Sequence, residues 1–403
     1  MIKIIKNLKN IIKNFNVEVF IIGGYIRDKL IKIKGETSNL DILVKGDIEG
    51  FVKELQIKGY VLVSSYDRTY QMTYEDKILN ISKLKGDTIE EDLATRDFTM
   101  NAIALNLGSN QIIDPFKGRL HIKRRIIQEV NDESINNDPI RILRGIRFYI
   151  KYGIHFSAYT EAHIRSEASN ILNCPKELIK NEILNVIHND ENGIFFEIAD
   201  QFYVLKELIP YINELKSIGK CKYHSVDAFT HMNTAYHVFK DMQKGYITIE
   251  GIDLDTLKMD ADDCNILDYL AFGIFVHDIG KFESYKKEGD KISFKGHDIS
   301  GYNIITKVCD NLGFSAQGKE LVGCIVKNHM YPLSIFKDNA EDYQSKFYNF
   351  FDMFKEKSPY LIIASFCDVY ATRMYLDVEN EKNKYRDFIM SMFFEYKNYI
   401  KLK

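Results

Sequence analysis

Strand signals in this 403-residue chain crowd into its first 118 positions, and that asymmetry fixes the fold class. Val17–Ile22 is a β-branched and aromatic run and reads as a strand. Gly23-Gly24 breaks it, and residues 25–33 have the apolar spacing of a helix. Residues 41–44 suit a second strand, 49–58 a helix that Gly59 ends, and 60–64 another strand. Residues 72–74 and 77–81 suit a hairpin around Glu75-Asp76, followed by short segments at 99–107, part of it helical, and 111–113. From Pro139 onward the pattern is helical, with short polar loops. The expectation is an α+β chain, a small α/β sheet followed by helices. The soft boundary falls in the polar stretch 216–222, and the acidic stretch 251–263 reads as a surface loop.

The first break in that pattern also carries chemistry. Glycines at positions 23 and 24 let backbone amides approach a triphosphate. Beyond them, Ser38-Asn39-Leu40-Asp41 places Asn39 and Asp41 two apart, on one face of a strand, where metal ions can be held.

Composition narrows the partners. A net charge of −3 argues against a uniformly basic nucleic-acid binder, yet residues 117–151 hold nine Lys/Arg against four Asp/Glu. That local excess of cations suits an RNA end. The six cysteines are scattered and none forms a Cys-x-x-Cys pair, which fits buried thiols in a reducing cytoplasm. No apolar run is long enough to span a membrane. Near the N-terminus Ile4, Ile5, Leu8, Ile11, Ile12 and Phe15 recur at helical spacing, so residues 1–15 are expected to pack on the first domain as an amphipathic helix.

Further along come Arg96-Asp97-Phe98-Thr99-Met100-Asn101, then Asp114-Pro115, then Asn137-Asp138-Pro139-Ile140-Arg141-Ile142-Leu143-Arg144-Gly145-Ile146-Arg147. In this order, after the Gly-Gly turn, the motifs make the chain resemble the bacterial-type (class II) tRNA nucleotidyltransferase and poly(A) polymerase family, the CCA-adding enzymes of the polymerase-beta-like superfamily. The resemblance implies a nucleotidyltransferase head (1–118) and a helical neck and body (119–215) that reads the base and binds RNA. It implies addition of nucleotides from CTP or ATP to the 3′ end of tRNA or another RNA, with Mg2+ in the head. Carried over by position, Gly23 and Gly24 would contact the triphosphate, with Arg27 and Asp28 bracing the loop. Asp41 and Asn39 would hold the metal, Asp41 being the catalytic carboxylate. Arg96 and Asp97, braced by Asn101, would sense the ribose, and Asp138 and Arg141 would read the base edge. Arg144 and Arg147 continue that helical stripe and suit phosphates. The sequence departs from the family at Asn39, where the first metal carboxylate is expected, at Asn80, where many members place another strand acid, and at Asn137. An asparagine carbonyl can coordinate Mg2+ but brings no charge.

A second constellation fills the C-terminal half. His231, His277-Asp278, His297, His329 and Asp368 follow the ligand order of the HD phosphohydrolase superfamily, an all-helical metal-dependent fold, which residues 222–375 resemble; with the C-terminal helices the expected domain is 216–403. That resemblance implies a divalent transition metal such as Mn2+, Ni2+, Co2+, Fe2+ or Zn2+, as one ion or as a binuclear pair. Lys281, one turn past Asp278, would neutralise a phosphate oxygen. His237 reads as an ordinary surface or core residue, as does His224 unless it lines the site's mouth. Three functions follow: a two-site RNA-end enzyme, an HD phosphohydrolase with a degenerate RNA- or nucleotide-binding head, or an RNA-binding protein with neither site active.

Overall fold

The computed structural model describes every residue except 14, 34–38, 221–224, 259, 262–263, 290, 339–342, 376, 378–379 and 403. Ser38 and His224, and parts of the stretches 216–222 and 251–263, therefore lie outside the described residues. The chain divides into two compact units, Met1–Glu167 and Ala168–Lys403, so the division falls inside the stretch expected to form the neck and body.

The first unit is built on a seven-stranded sheet in the order β3-β4-β5-β2-β1-β6-β7. Its strands are β1 (Val17–Ile22), β2 (Asn39–Gly46), β3 (Val61–Tyr66), β4 (Thr69–Tyr74), β5 (Lys77–Lys83), β6 (Ala104–Asn106) and β7 (Ile112–Ile113). Only the β2–β5 pair is parallel; the other neighbours run antiparallel. The first unit's helices are α1 (Ile2–Ile12), α2 (Gly24–Ile31), α3 (Ile48–Ile57), α4 (Ile89–Ala94), α5 (Gly118–Arg124), α6 (Glu133–Asn136), α7 (Ile140–Tyr152) and α8 (Ala158–Glu167).

Strand alternation divides the core into two layers. Val19, Ile21, Leu40, Ile42, Leu79 and Ile81 enter one cluster, where α1 adds Ile4, Leu8, Ile11 and Ile12. The N-terminal helix is thus a core element, as its spacing predicts. Phe20, Ile22 and Leu43 enter the other, smaller cluster with Leu93 and Ala102. On that second face the strands turn polar: Asn39 and Asp41 of β2 alternate with the buried Leu40 and Ile42, and Asn80 of β5 is the register partner of Asp41. The sheet therefore offers a polar floor on its less covered side.

Two expectations need correction. The hairpin around Glu75-Asp76 is present, but a second one joins β3 to β4 and turns at Asp67 and Arg68, both with positive φ. Strands also do not stop at residue 118. Short ribbons pair Ile126–Ile127 with His155–Phe156, and Lys286–Glu288 with Lys291–Ser293. These strands are two or three residues long, and in the second ribbon half the residues are lysine, so alternation had nothing to register.

The second unit is helical. Its organising element is the helix Ile266–Val276, all of whose residues are buried. Apart from Asp268, which lies 3.2 Å from His188, it is apolar on every side, and such a helix belongs in the middle of a bundle. It packs against Ala228–Gln243, Ala316–Asn328 and Ser358–Tyr375.

Candidate functional site

In the first unit a cleft of about 720 Å³ opens over the polar floor. The turn between β1 and α2 forms one wall. Gly23 has φ +68, and a Cβ built there would lie 3.3 Å from the Asp41 carboxylate. Glycine is what allows backbone and carboxylate to come this close. Asn39 is exposed and Asp41 half-buried. The Asn80 amide donates to Asp41 Oδ1 at 3.0 Å, and Gln71 donates to Asn80 Oδ1 at 3.4 Å. Asn80 thus spends its N–H on Asp41 and points its own oxygen away, so Asp41 is the one carboxylate among these three positions.

The other wall is cationic: Arg27, Lys85, Arg96, Arg141, Arg144 and Arg147 line the cleft against Asp28, Asp41 and Asp97. Arg96 and Asp97 do not pair with each other. Arg96 binds the buried Asp92 at 2.6 Å. Asp97 takes the Asn101 amide at 2.8 Å and lies 3.1 Å from Arg144. Arg27 reaches Asn101 Oδ1 and Asp28 Oδ1, each at 2.8 Å. Asp138 does not cap α7 with its side chain; its carboxylate accepts from Arg141 Nε at 3.3 Å. Arg141 also donates to the carbonyls of Thr95, Arg96 and Ser134, at 2.7, 3.0 and 3.0 Å. One guanidinium thus ties the 95–96 segment to α7. Asp114 receives the amides of Gly118 and Arg119 at 2.6 and 3.1 Å and starts α5. A Cβ on Gly118 would stand 2.1 Å from the Thr99 carbonyl, which accounts for glycine there.

The second unit gathers all six expected ligands. His231 comes from Ala228–Gln243, and His277-Asp278 follow the central helix. His297 opens His297–Leu312, His329 caps Ala316–Asn328, and Asp368 lies in Ser358–Tyr375. His231 Nε2 is 3.1 Å from His277 Nε2 and 2.9 Å from Asp368. His297 Nε2 lies 3.3 Å from Asp278 and 3.5 Å from His329 Nε2. Lys281, 4% exposed, pairs with Asp278. Two ligand triplets can each hold an ion: His231, His277 and Asp368, and His277, Asp278 and His329.

The imidazoles are aimed. His277, His297 and His329 each turn Nδ1 to a carbonyl three residues back, at 2.7, 3.0 and 3.0 Å. With the proton fixed on Nδ1, the Nε2 lone pairs face inward, the orientation metal-binding histidines take. Burial works against charge on His277, but the Asp278 and Asp368 carboxylates outweigh it and push its pKa up to about 10. Burial, helped by charge on His277, holds His329 down to about 4. Burial also lowers His231. Burial opposes ionisation of Asp278 and Asp368, yet Lys281 and His277 for the first, and His231 and His277 for the second, hold both well below the usual carboxylate range. A proton on His277 and a metal ion are alternative occupants of the same converging lone pairs. The mixed imidazole and carboxylate set suits first-row transition metals.

Residues 19–128 match the Poly A polymerase head domain. The A-adding tRNA nucleotidyltransferase of Deinococcus radiodurans is 27% identical over 265 residues, covering 64% of this chain and 55% of that protein. The Multifunctional CCA protein of Haemophilus ducreyi is 25% identical over 341 residues, 78% of this chain and 75% of that protein. A CCA-adding enzyme solved with ATP superposes with a TM-score of 0.68 at 19% identity, over 98% of this chain and 83% of that one. The enzyme from Thermotoga maritima solved with tRNA gives 0.64 at 18%, over 93% and 81%. These likenesses support the tRNA nucleotidyltransferase family, and the superpositions show the fold. No helix among the described residues is long and apolar enough to cross a membrane.

Around the first unit's cleft the structure adds residues that motif reading missed. Lys85 lines it from the segment after β5, and Asp92 on α4 orients Arg96. Tyr152 donates to Asp28 at 3.1 Å. In the second unit Phe294, Lys295, Lys337 and Arg373 surround a cavity of about 440 Å³ that opens on Asp278, His297 and Asp368. Gly280 allows the close approach of His297–Leu312: a Cβ there would lie 2.0 Å from the His297 carbonyl. Gly280 stands inside His277-Asp278-Ile279-Gly280-Lys281, so its adjacency was a usable signal. Phe294 and Arg373 had none. His237 pairs with Asp241 at 3.6 Å on the surface, away from the ligand set.

Proposed function

We propose that the chain adds nucleotides from CTP or ATP to RNA 3′ ends without a template, the RNA being tRNA or a similar molecule. The observation that carries this reading is the Gly23–Gly24 turn set against Asp41 inside a cleft with six cationic side chains. Such a cleft attracts a triphosphate and an RNA end together. Gly23 and Gly24 would hold phosphates by backbone amides, with Arg27 beneath them. Arg96, Asp97 and Asn101 would fix the ribose, and Asp138 with Arg141 would face the base. Asp41 with the Asn39 carbonyl supplies one anionic ligand, which fits a magnesium ion delivered on the triphosphate and does not by itself fit a two-metal cage. The test is incorporation of labelled CTP and ATP onto a tRNA lacking its 3′ end, with Asn39→Asp run in parallel. Addition by the unaltered chain supports the reading; no addition by either protein would sink it.

The second unit's cluster carries a further reading, a phosphohydrolase of the HD type. A bound transition metal would supply a water of lowered pKa. Lys281 would neutralise a phosphate oxygen, and Lys295, Lys337 and Arg373 would draw an anionic ester into the cavity. If the head proves inactive, this cluster would be the chain's catalyst and the head its RNA- or nucleotide-binding module. Metal-dependent hydrolysis of a chromogenic phosphodiester, lost in His277→Ala, is the observation to seek.

A further inference from the structure

A closed circuit of polar contacts leaves α7, crosses the head's cleft and returns to α7. Arg144 lies 3.1 Å from Asp97, which accepts from the Asn101 amide at 2.8 Å. Asn101 Oδ1 accepts from Arg27 at 2.8 Å. Arg27 then gives Nε and a terminal N–H to Asp28 Oδ1, each at 2.8 Å. The Tyr152 hydroxyl donates to that same oxygen at 3.1 Å and closes the circuit. Arg144 and Tyr152 stand about 12 Å apart along α7.

Tyr152 also supplies a surface. The Arg27 guanidinium lies 5.0 Å from the ring centres of both Phe148 and Tyr152. Those rings are one helical turn apart, 5.9 Å between centres and tilted by 21°. Arg27 is 9% exposed, and a Cβ on Gly24 would lie 3.4 Å from its terminal nitrogen. The guanidinium is therefore bounded by two rings on one side, by Asp28 and Asn101 at its edges, and by the glycine turn. Planar stacking and charge-assisted bonds reinforce each other where water is excluded.

We infer that Tyr152 is a positioning residue for the phosphate-binding turn: its hydroxyl sets Asp28, Asp28 sets Arg27, and Arg27 fixes Gly23–Gly24 to receive a nucleoside triphosphate. The inference rests on the nucleotidyl-transfer reading. It adds that the helix carrying Arg141 and Arg144 and the turn that holds the phosphates act as one mechanical piece. If Tyr152 only filled the core, stability and nucleotide binding would fall together on substitution, and phenylalanine would serve as well as tyrosine.

The experiment uses the full chain. Equilibrium binding of Mg·ATP, KM and kcat for addition to an RNA end, and Tm are measured for the unaltered protein, Tyr152→Phe and Tyr152→Leu. Tyr152→Phe keeps the ring and loses only the hydroxyl. It is expected to weaken ATP binding and raise its KM several-fold through the displaced turn, with kcat within about twofold and Tm lower by only the few degrees that one lost hydrogen bond costs. Tyr152→Leu should fall further, with phenylalanine restoring part of the loss. Asp28→Asn made on Tyr152→Phe should cost less than on the unaltered chain, because the circuit is already open. Normal ATP binding by Tyr152→Phe would overturn this inference alone, as would losses that track Tm in both variants. An unaltered chain that binds no triphosphate would overturn the nucleotidyl-transfer reading and this inference with it.

Discussion

The first unit's cleft and the second unit's cluster are the two candidate sites of this chain, and they are built oppositely. The cleft is open and sets six cationic side chains against Asp28, Asp41 and Asp97, and on its strand floor Asp41 is the one carboxylate beside Asn39 and Asn80. The cluster is buried, rich in imidazole and carboxylate groups, and keeps its cations to Lys281 and the mouth of the cavity that opens on it. His231, His277, Asp278 and His329 are each 1–2% exposed. An open cationic cleft recognises a charged substrate by its field, whereas a buried ligand set must be completed by an ion. The contrast teaches that binding and chemistry make separate demands on a chain, and that here the two demands are met to different degrees in different units.

The sharpest way to test this contrast is at the cluster. Asp278→Ala removes a ligand and the partner of Lys281. It should cost at least about a hundredfold in metal retention, read by elemental analysis of the purified protein, and should abolish phosphodiester hydrolysis. Nucleotide addition by the head should be unchanged; a parallel loss there would break the separation. Next in size is Asn39→Asp, which restores a second carboxylate to the cleft. About a tenfold rise in addition rate at limiting Mg2+ is expected, and an unaltered chain already as fast as the variant would show that one carboxylate suffices.

Each region also leans on one glycine. Gly23→Ala forces φ +68 on an L side chain and crowds Asp41, so about 1–2 kcal/mol of stability should go along with ATP binding. Gly280→Ala collides with the His297 carbonyl and should cost about 1–3 kcal/mol along with metal retention. Thermal unfolding beside the two binding assays decides whether each effect stays in its own unit. A pH dependence of the metal-stripped chain is a further expected effect. His277 rises from 6.5 to about 10 on folding, so its contribution is fully present below 6.5 and fades as pH climbs through 10. Because a metal displaces that proton, metal affinity should rise over the same interval. Melting curves of stripped and loaded protein at pH 6.5 and 9.5 check both signs.

What the sequence made legible was local. The Gly-Gly turn, Asn39 with Asp41, and His277-Asp278 are neighbours along the chain. The order of the six ligands let distant residues be grouped before any fold was known. Partners without a short-range pattern stayed hidden. Tyr152 and Asp28 are 124 residues apart, and nothing in either neighbourhood points to the other. Arg96 was read beside Asp97, its neighbour in sequence, although its partner Asp92 lies one helical turn away. Arg141, expected to face the base, also holds three backbone carbonyls, a structural duty that only a folded chain reveals. The ribbon of Lys286–Glu288 with Lys291–Ser293, which Phe294 follows, has strands too short to show a period.

The ligands of the cluster come from helices far apart in sequence: His231 and Asp368, 2.9 Å apart, are separated by 137 residues. An ion held between them closes a long loop and removes freedom from the unfolded chain, much as a disulfide would. The described cysteines are all free thiols, so the cluster offers a tie that they do not. A preparation stripped of metal would then differ from a loaded one in how long it survives warming and proteases as well as in what it hydrolyses, and the ion content of a sample becomes part of its history.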